Sequence, residues 1–468
     1  MYRISLLIIL IATTGLYSQN IDGTLIDAIR YSSDNKIVNT RSAGLGFSYM
    51  GILNDVAAIH YNPAGLALNN KAEISVGTNF QNNSISSNYL ENKNNTDTKG
   101  FNFTNISISS PVRANYQNLD LYNIGVSYSN SMQFNQFTEA GGFNTSNSYI
   151  NSESKQGRDW TEKTKISQNG VTFINDSLYQ DYELTESGSN HDLTFALATE
   201  YFDGFAIGGS INFAFGSYKY VRFLDETDTK EIYQEKSDEP PYSDIDKVYH
   251  TLEYNHDYTS ISFNLGLVYT YQDNYRFSLN LNTPANMRIE EYFYEEAEVL
   301  FDDKSRTKYN NLGSNNTTLY DVLLPWSIAF GSSYNSDELT VAAAFQFKNY
   351  SGIQFLDTQS EYFMELNNNM HSVLDGNIKF GLGVEYQIPY SIVQLRGGAT
   401  FETSPFDNNS TLTKLYSGGV GLFLFESLRV DFFGQLFQSE KDIYLYDSQI
   451  VKTENNIYKL GMGLTYRY

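Results

Sequence analysis

Residues 460–468, Leu-Gly-Met-Gly-Leu-Thr-Tyr-Arg-Tyr, alternate without a break: Leu460, Met462, Leu464, Tyr466 and Tyr468 are apolar or aromatic, and Gly461, Gly463, Thr465 and Arg467 between them are small or polar. Successive side chains of a strand point to opposite faces, so one face here is greasy and the other carries glycines, a hydroxyl and a charge. Lipid on one side and a polar lumen on the other ask for that pattern. A chain that stops on an aromatic inside such a strand suits the closing strand of an outer-membrane β-barrel. A C-terminal edge strand of a soluble sandwich shares the alternation, so the rest of the chain decides between them.

The opposite end supports the membrane reading. Arg3 supplies a positive start, Ile4 to Gly15 is an apolar run broken only by Ser5, Thr13 and Thr14, and Ser18 precedes Gln19. This is the pattern of a secretory signal peptide over residues 1–19. The run is shorter than the ~20 residues of a spanning helix, so an exported chain with no helical anchor is expected. Cysteine is absent, which excludes a disulfide framework and a lipid-accepting Cys.

Composition narrows the class. Aromatics make up 15% of the 468 residues, with 38 Tyr and 31 Phe against 2 Trp. Tyrosine suits a barrel wall, its ring facing lipid and its hydroxyl reaching the headgroups. The formal charge is −23, and removing Arg3 with the signal takes it to −24. Phosphate binding needs clustered Lys and Arg, so nucleic acid is excluded as a partner. The acidic run Asp225, Glu226, Asp228, Glu231, Glu235, Asp238 and Glu239 solvates an outer loop, or holds divalent cations that bridge to lipopolysaccharide.

Fourteen strand-like segments follow, at about 72–80, 101–109, 121–130, 191–201, 204–218, 258–271, 274–290, 322–334, 337–350, 375–388, 391–402, 414–424, 427–438 and 457–468. Phe205, Ile207, Ile211, Phe213 and Phe215 share one face, and Ala206, Gly208, Ser210, Asn212 and Ala214 the other. Ile261, Phe263, Leu265, Leu267, Tyr269 and Tyr271 oppose Ser262, Asn264, Gly266 and Thr270 in the same way. The second faces show few charges. From the fourth segment on, connections alternate between short (202–203, 272–273, 335–336, 389–390, 425–426) and longer (219–257, 291–321, 351–374, 402–413, 439–456). Short turns on one side and long loops on the other are the habit of transmembrane barrels. The connection 110–120 is the one turn longer than this pattern wants. The expected fold is therefore an all-β, 14-stranded antiparallel transmembrane barrel over residues 72–468, in the outer membrane of a Gram-negative cell.

Residues 20–71 show no alternation. They contain Asp27-Ala28-Ile29-Arg30-Tyr31, Arg41-Ser42-Ala43-Gly44-Leu45-Gly46, Asn54-Asp55 and Tyr61-Asn62-Pro63-Ala64-Gly65-Leu66. Placed ahead of a barrel, such a stretch is a plug in the lumen or a periplasmic domain. Pro63 fixes its own φ, pushes Asn62 out of the helical region and leaves the Asn amide free to cap backbone groups.

Those ordered motifs resemble the N-terminal hatch of the FadL family, outer-membrane transporters of long-chain fatty acids and other hydrophobic compounds, whose barrels have fourteen strands. Asn282-Thr283-Pro284 and Leu324-Pro325-Trp326 are weaker echoes in the wall. The resemblance implies passive, hatch-gated passage of a hydrophobic small molecule that leaves sideways into lipid at a kink in the third strand. It makes Asn62, Pro63 and Ala64 the hatch element tied to the wall, and a monomer in contact with outer-membrane lipid and lipopolysaccharide. The third segment has no Gly or Pro at its middle, and the alternation of Tyr122, Ile124, Val126 and Tyr128 decays at Ser129, Asn130 and Ser131, the nearest candidate for a kink. In the long loop 131–190, Phe134, Phe137, Phe143 and Trp160 either line a capture groove or pack the loop against its neighbours. The same architecture also serves a second reading, a non-transporting binding or shuttle component of a protein secretion system.

Catalysis finds little support. His250 and His256 with Glu253 and Asp257 are the sole cluster resembling a metal or acid–base site, and no nucleophile triad or phosphate loop stands out. Neither an enzyme, nor a cofactor, nor a metal is expected.

Overall fold

The computed structural model describes residues 23–33, 36–116, 119–234, 239–312, 316–357, 360–406 and 411–468. The expected signal peptide, 1–19, lies outside the described residues.

The chain closes a barrel of 14 antiparallel strands. The first to sixth are Glu73–Tyr89, Asn92–Tyr116, Leu119–Gln133 continued by Gln136–Asn144, Leu178–Phe202, Phe205–Thr227 and Ile245–Tyr271. The seventh is Tyr275–Asn282 continued by Ala285–Phe301, and the eighth Thr317–Leu324 continued by Ser327–Asn335. The ninth to fourteenth are Leu339–Asn349, Gly376–Gln387, Val393–Thr403, Leu412–Phe425, Leu428–Tyr446 and Gln449–Arg467. The last strand pairs with the first from Glu73↔Arg467 to Asn88↔Lys452, so neither is left as a free edge. Two strands are interrupted side by side, at Thr283-Pro284 and Pro325-Trp326, where proline has no N–H to give the ladder.

The two faces sort as the alternation predicts. Ile261, Phe263, Leu265, Leu267, Tyr269 and Tyr271 are exposed on the outside, and Ser260 and Val268 are buried. From Ile261 to Tyr271, at about 3.3 Å per residue and a tilt of about 40°, the apolar face rises roughly 25 Å, the height of a barrel's lipid-facing band.

Above that band the strands run further than expected. The first two continue to a two-residue turn at Leu90-Glu91, with φ of 46° and 68°, the mirror-image turn that matches strand twist. The thirteenth and fourteenth reach Tyr446 and Gln449, so most of 439–456 is hairpin rather than loop. Beyond the lipid both faces meet water, and the contrast that marks a strand fades. At the other end, the second strand runs to Tyr116 and the third begins at Leu119, so the long turn expected over 110–120 is mostly strand.

The outer end is capped by helices α4 (Tyr149–Lys155) and α5 (Asp159–Lys163). Trp160, Tyr149 and Ile150 pack there with Leu445, Tyr446 and Val451 from the last hairpin. A second apolar cluster fills the outer half of the lumen, where Leu25, Ala28 and Tyr31 meet Phe355, Phe363 and Leu366.

Candidate functional site in the barrel lumen

Residues 23–33 and 36–69 occupy the lumen, with five short helical pieces: α1 (Gly23–Tyr31), α2 (Thr40–Leu45), a 3₁₀ turn Gly46–Gly51, α3 (Ala58–Tyr61) and a 3₁₀ turn Pro63–Leu68. Asn39 starts α2, its Oδ1 accepting from Arg41 N at 2.8 Å, while its Nδ2 donates to Ser75 Oγ on the first strand at 3.0 Å. The segment lies directly on the wall at several strand glycines, among them Gly208, Gly331, Gly381 and Gly398. A Cβ at Gly208 would sit 2.5 Å from Ala64 N, and one at Gly381 2.8 Å from Ser48 N, so only a residue without a side chain admits the backbone there.

Asn62 is extended (φ −162°, ψ 107°), as a residue before proline should be. Its Oδ1 accepts from Ala64 N at 3.1 Å, and its Nδ2 donates to Leu267 O at 3.1 Å and Leu279 O at 3.0 Å. One carboxamide thus caps the turn behind it and joins it to the sixth and seventh strands. Asn62, Pro63 and Ala64 are all buried.

At the short-turn end the segment is held by charge. Arg41 donates from Nε to Glu385 Oε2 (2.9 Å), from Nη2 to Glu385 Oε1 (2.5 Å) and from Nη1 to Asp55 Oδ2 (2.9 Å). Arg396 links Glu385 (3.1 Å) to Asp431 (2.5 Å), and Arg429 donates to Asp431 at 2.7 Å. Arg467, next to the last residue, bonds Glu73 at 3.0 Å. The expectation that the inner face carries few charges is corrected here: Glu73, Asp192, Lys348, Glu385, Arg396 and Asp431 are all buried inside. They are scattered singly along the strands, so no local run of sequence shows them as a group. One neighbour relation is readable in sequence, since Glu385 and Arg396 face each other across a short turn.

Among the described residues, the ladder between the second and third strands stops part-way up the wall. The second and third strands pair from Tyr116↔Leu119 up to Asn105↔Ser129 and no further. Register against the fourth strand then shifts between Asn130 and Met132, making Ser131 a bulge, and the third strand breaks at Phe134-Asn135. Its outer part, Gln136–Asn144, pairs with the fourth strand, while the outer second strand pairs with the first. Instead of a ladder, side chains of the first two strands reach backbone oxygens of this outer part and of Asn135: from the second strand Asn92 Nδ2 to Gly141 O (2.9 Å) and the Thr96 hydroxyl to Phe137 O, and from the first Asn83 Nδ2 to Asn135 O (3.5 Å) and the Ser87 hydroxyl to Glu139 O. Ser129, Asn130 and Ser131 stand at the foot of this seam.

The loop aromatics separate. Trp160 is fully buried in the outer cap, stacked on Tyr149 at 5.8 Å between ring centroids. Phe134 joins the lumenal cluster with Tyr31 and Tyr218, while Phe137 and Phe143, on the outer third strand, are half-buried. They do not share one groove. The histidine cluster is not brought together either. His250 and His256 are buried on the inner face, whereas Glu253 and Asp257 fall on alternate positions of the same strand. His256 Nδ1 pairs with Tyr31 OH (2.7 Å), and His250 Nε2 lies 3.1 Å from Glu295. Among the described residues, no group of three His, Cys, Asp or Glu side chains is placed to hold a metal.

Between the leading segment and the wall lies a cavity of about 200 Å³. Tyr31, Phe47, Met50 and Tyr61 line it from the segment, and Asn, Ser, Thr and Gln side chains of the wall line much of the rest.

No family model matches the sequence, and no curated relative matches it. Solved structures do. A Pseudomonas aeruginosa FadL homologue superposes with a TM-score of 0.58 at 12% identity, over 92% of this chain and 98% of that one. The P. putida toluene transporter TodX gives 0.52 at 10%, over 88% and 94%, and the Ralstonia pickettii toluene transporter TbuX gives 0.50 at 14%, over 93% and 99%. At such identities the likeness speaks for architecture, and it extends over most of this chain and nearly all of each of the others. The chain has the fold of the FadL-type outer-membrane transporters, here a closed β-barrel of 14 strands.

Proposed function

We propose that this barrel lets hydrophobic small molecules, long-chain fatty acids among them, cross the outer membrane passively, with residues 20–71 as the hatch and the seam beside the third strand as a sideways exit. The seam is the observation that carries the reading. A ladder that stops at Asn105↔Ser129 supports a route from lumen to lipid between the second and third strands. An apolar chain taking it avoids water, where each exposed methylene costs about 0.8 kcal/mol. The two toluene transporters of the same fold support this class of solute. In this reading Asn62, Pro63 and Ala64 couple hatch to wall, Phe134, Phe137 and Phe143 border the seam, and Trp160 braces the outer cap. The barrel works as a monomer, its exposed aromatics in lipid and its acidic outer face toward lipopolysaccharide.

The test closes the seam. A Cβ at Gly142 would lie 3.0 Å from Asn92 Nδ2, and the chain has no cysteine of its own, so Asn92→Cys with Gly142→Cys introduces one cross-link across it. In vesicles, uptake of a fluorescent fatty acid should fall to the protein-free level when the pair is oxidised and return on reduction. Unchanged uptake through a cross-linked barrel would remove the sideways exit.

A further inference from the structure

We infer that the solute carries a neutral head rich in hydroxyls or amides, a sugar-like group, which docks on the polar wall of the lumenal cavity while its apolar part follows the route proposed above. The inference rests on that transport reading and names the solute class. The cavity's wall is a run of carboxamides and hydroxyls across neighbouring strands. Asn212 Nδ2 donates to Asp192 Oδ1 (3.0 Å), Asn280 Nδ2 to Asn282 Oδ1 (3.1 Å), and Asn282 Nδ2 and Gln346 Nε2 to Ser327 Oγ (2.9 and 3.2 Å).

Each carboxamide offers two donor hydrogens and two acceptor lone pairs, and these bonds use only part of that capacity. Asn280 is 2% exposed, and its Oδ1 has no hydrogen-bond partner. Pressing hydrocarbon against such a wall would cost about 1–3 kcal/mol for every polar group left unmatched, whereas hydroxyls match them.

Among the described residues, the ammonium groups lining the cavity already have partners, Lys36 with Asp192 at 2.9 Å and Lys348 with Ser32 O at 2.6 Å, so a carboxylate head would have to displace these contacts whereas a hydroxylated one need not. The facing side presents Tyr31, Phe47 and Tyr61, rings on which the C–H face of a sugar can rest. At about 200 Å³ the cavity is below the roughly 300 Å³ at which sites for drug-sized ligands begin, which fits a head and not a long acyl chain.

The experiment is calorimetry on the full chain held in amphipol, free of sugar detergents, with octyl glucoside, octanoate and octan-1-ol as probes below their micelle concentrations. Octyl glucoside should bind at least about tenfold more tightly than the other two, the worth of roughly one well-made hydrogen bond. Asn280→Leu and Asn212→Leu should each take that preference away without weakening octanol, in barrels shown to be folded by heat-modifiable mobility on gels. If either variant fails to fold, Asn280→Ala serves in its place. Equal or tighter binding of octanoate, or an undiminished preference in the leucine variants, overturns the proposal. Fatty-acid uptake that responds to the seam cross-link without any glucoside preference would sink this inference alone. Glucoside binding without uptake of any probe would sink the transport reading and leave the site standing.

Discussion

Arg41 of the leading segment and Glu385 of the tenth strand form a two-pronged pair, Nε to Oε2 at 2.9 Å and Nη2 to Oε1 at 2.5 Å, with Asp55 on the remaining nitrogen at 2.9 Å. All three side chains are buried. Removing one partner of a buried pair leaves its charge uncompensated, at about 3–5 kcal/mol. Arg41→Met should therefore loosen the segment by that order and expose residues 20–71 to trypsin, with the barrel itself staying closed. Arg41→Met with Glu385→Met should recover part of the loss. The midpoint of heat-modifiable migration and the digestion pattern measure both.

Close approach at glycine yields the second prediction. A methyl at Gly208 would stand 2.5 Å from Ala64 N and 2.6 Å from Pro63 C, both backbone atoms with little room to retreat. Overpacking of this kind costs about 1–3 kcal/mol. Gly208→Ala should unseat the Pro63–Leu68 turn and speed hydrogen exchange there. Gly397→Ala, where the nearest atom is 3.8 Å away, should leave that exchange as it is.

The wall is legible in the sequence and the contents of the lumen are not, for a physical reason. Lipid against one face and small residues against the other impose the period-two contrast seen in Phe205–Phe215. Once the hairpins leave the bilayer, as in the polar stretch 92–100, water wets both faces and the contrast ends. Fading alternation marks Ser129–Ser131, yet nothing local shows that the second strand loses its partner at Asn105, because that depends on a register set far away. Glu385 and Arg396 face each other across a short turn, but that Arg41 and Asp431 join them is set by the path of the leading segment and by strand register, which no local pattern shows. For Trp160, hydrophobicity alone does not distinguish a groove from a buried brace.

If the leading segment moves during transport, pinning it should stop transport. A Cβ at Gly383 would lie 3.0 Å from Ser48 Cβ, close to the spacing of a disulfide once the strand yields slightly. Ser48→Cys with Gly383→Cys should leave the oxidised barrel folded and its fatty-acid uptake at background, with recovery on reduction. Full uptake in the oxidised state would mean that the segment is a fixed part of the wall.

The outer cap should respond to pH through one carboxyl. Glu226 Oε1 accepts from Tyr149 N (2.8 Å) and Gln180 Nε2 (2.6 Å), and Oε2 from Ile150 N (3.0 Å), so it holds the start of α4. Burial pushes this carboxyl up to about 7 from an ordinary 4.5, against the pull of those three donors. Between these values the docked cap keeps a proton that a released cap gives up. The contribution to docking is therefore fully present below about 4.5 and is lost as pH rises through about 7. Amides of Tyr149–Lys155, corrected for intrinsic rates, should exchange faster at pH 8 than at pH 5. Glu226→Gln does not titrate and should flatten that slope, although it turns one acceptor into a donor and weakens the cap by about 1–3 kcal/mol at low pH. A slope that survives in Glu226→Gln would assign the response to another group.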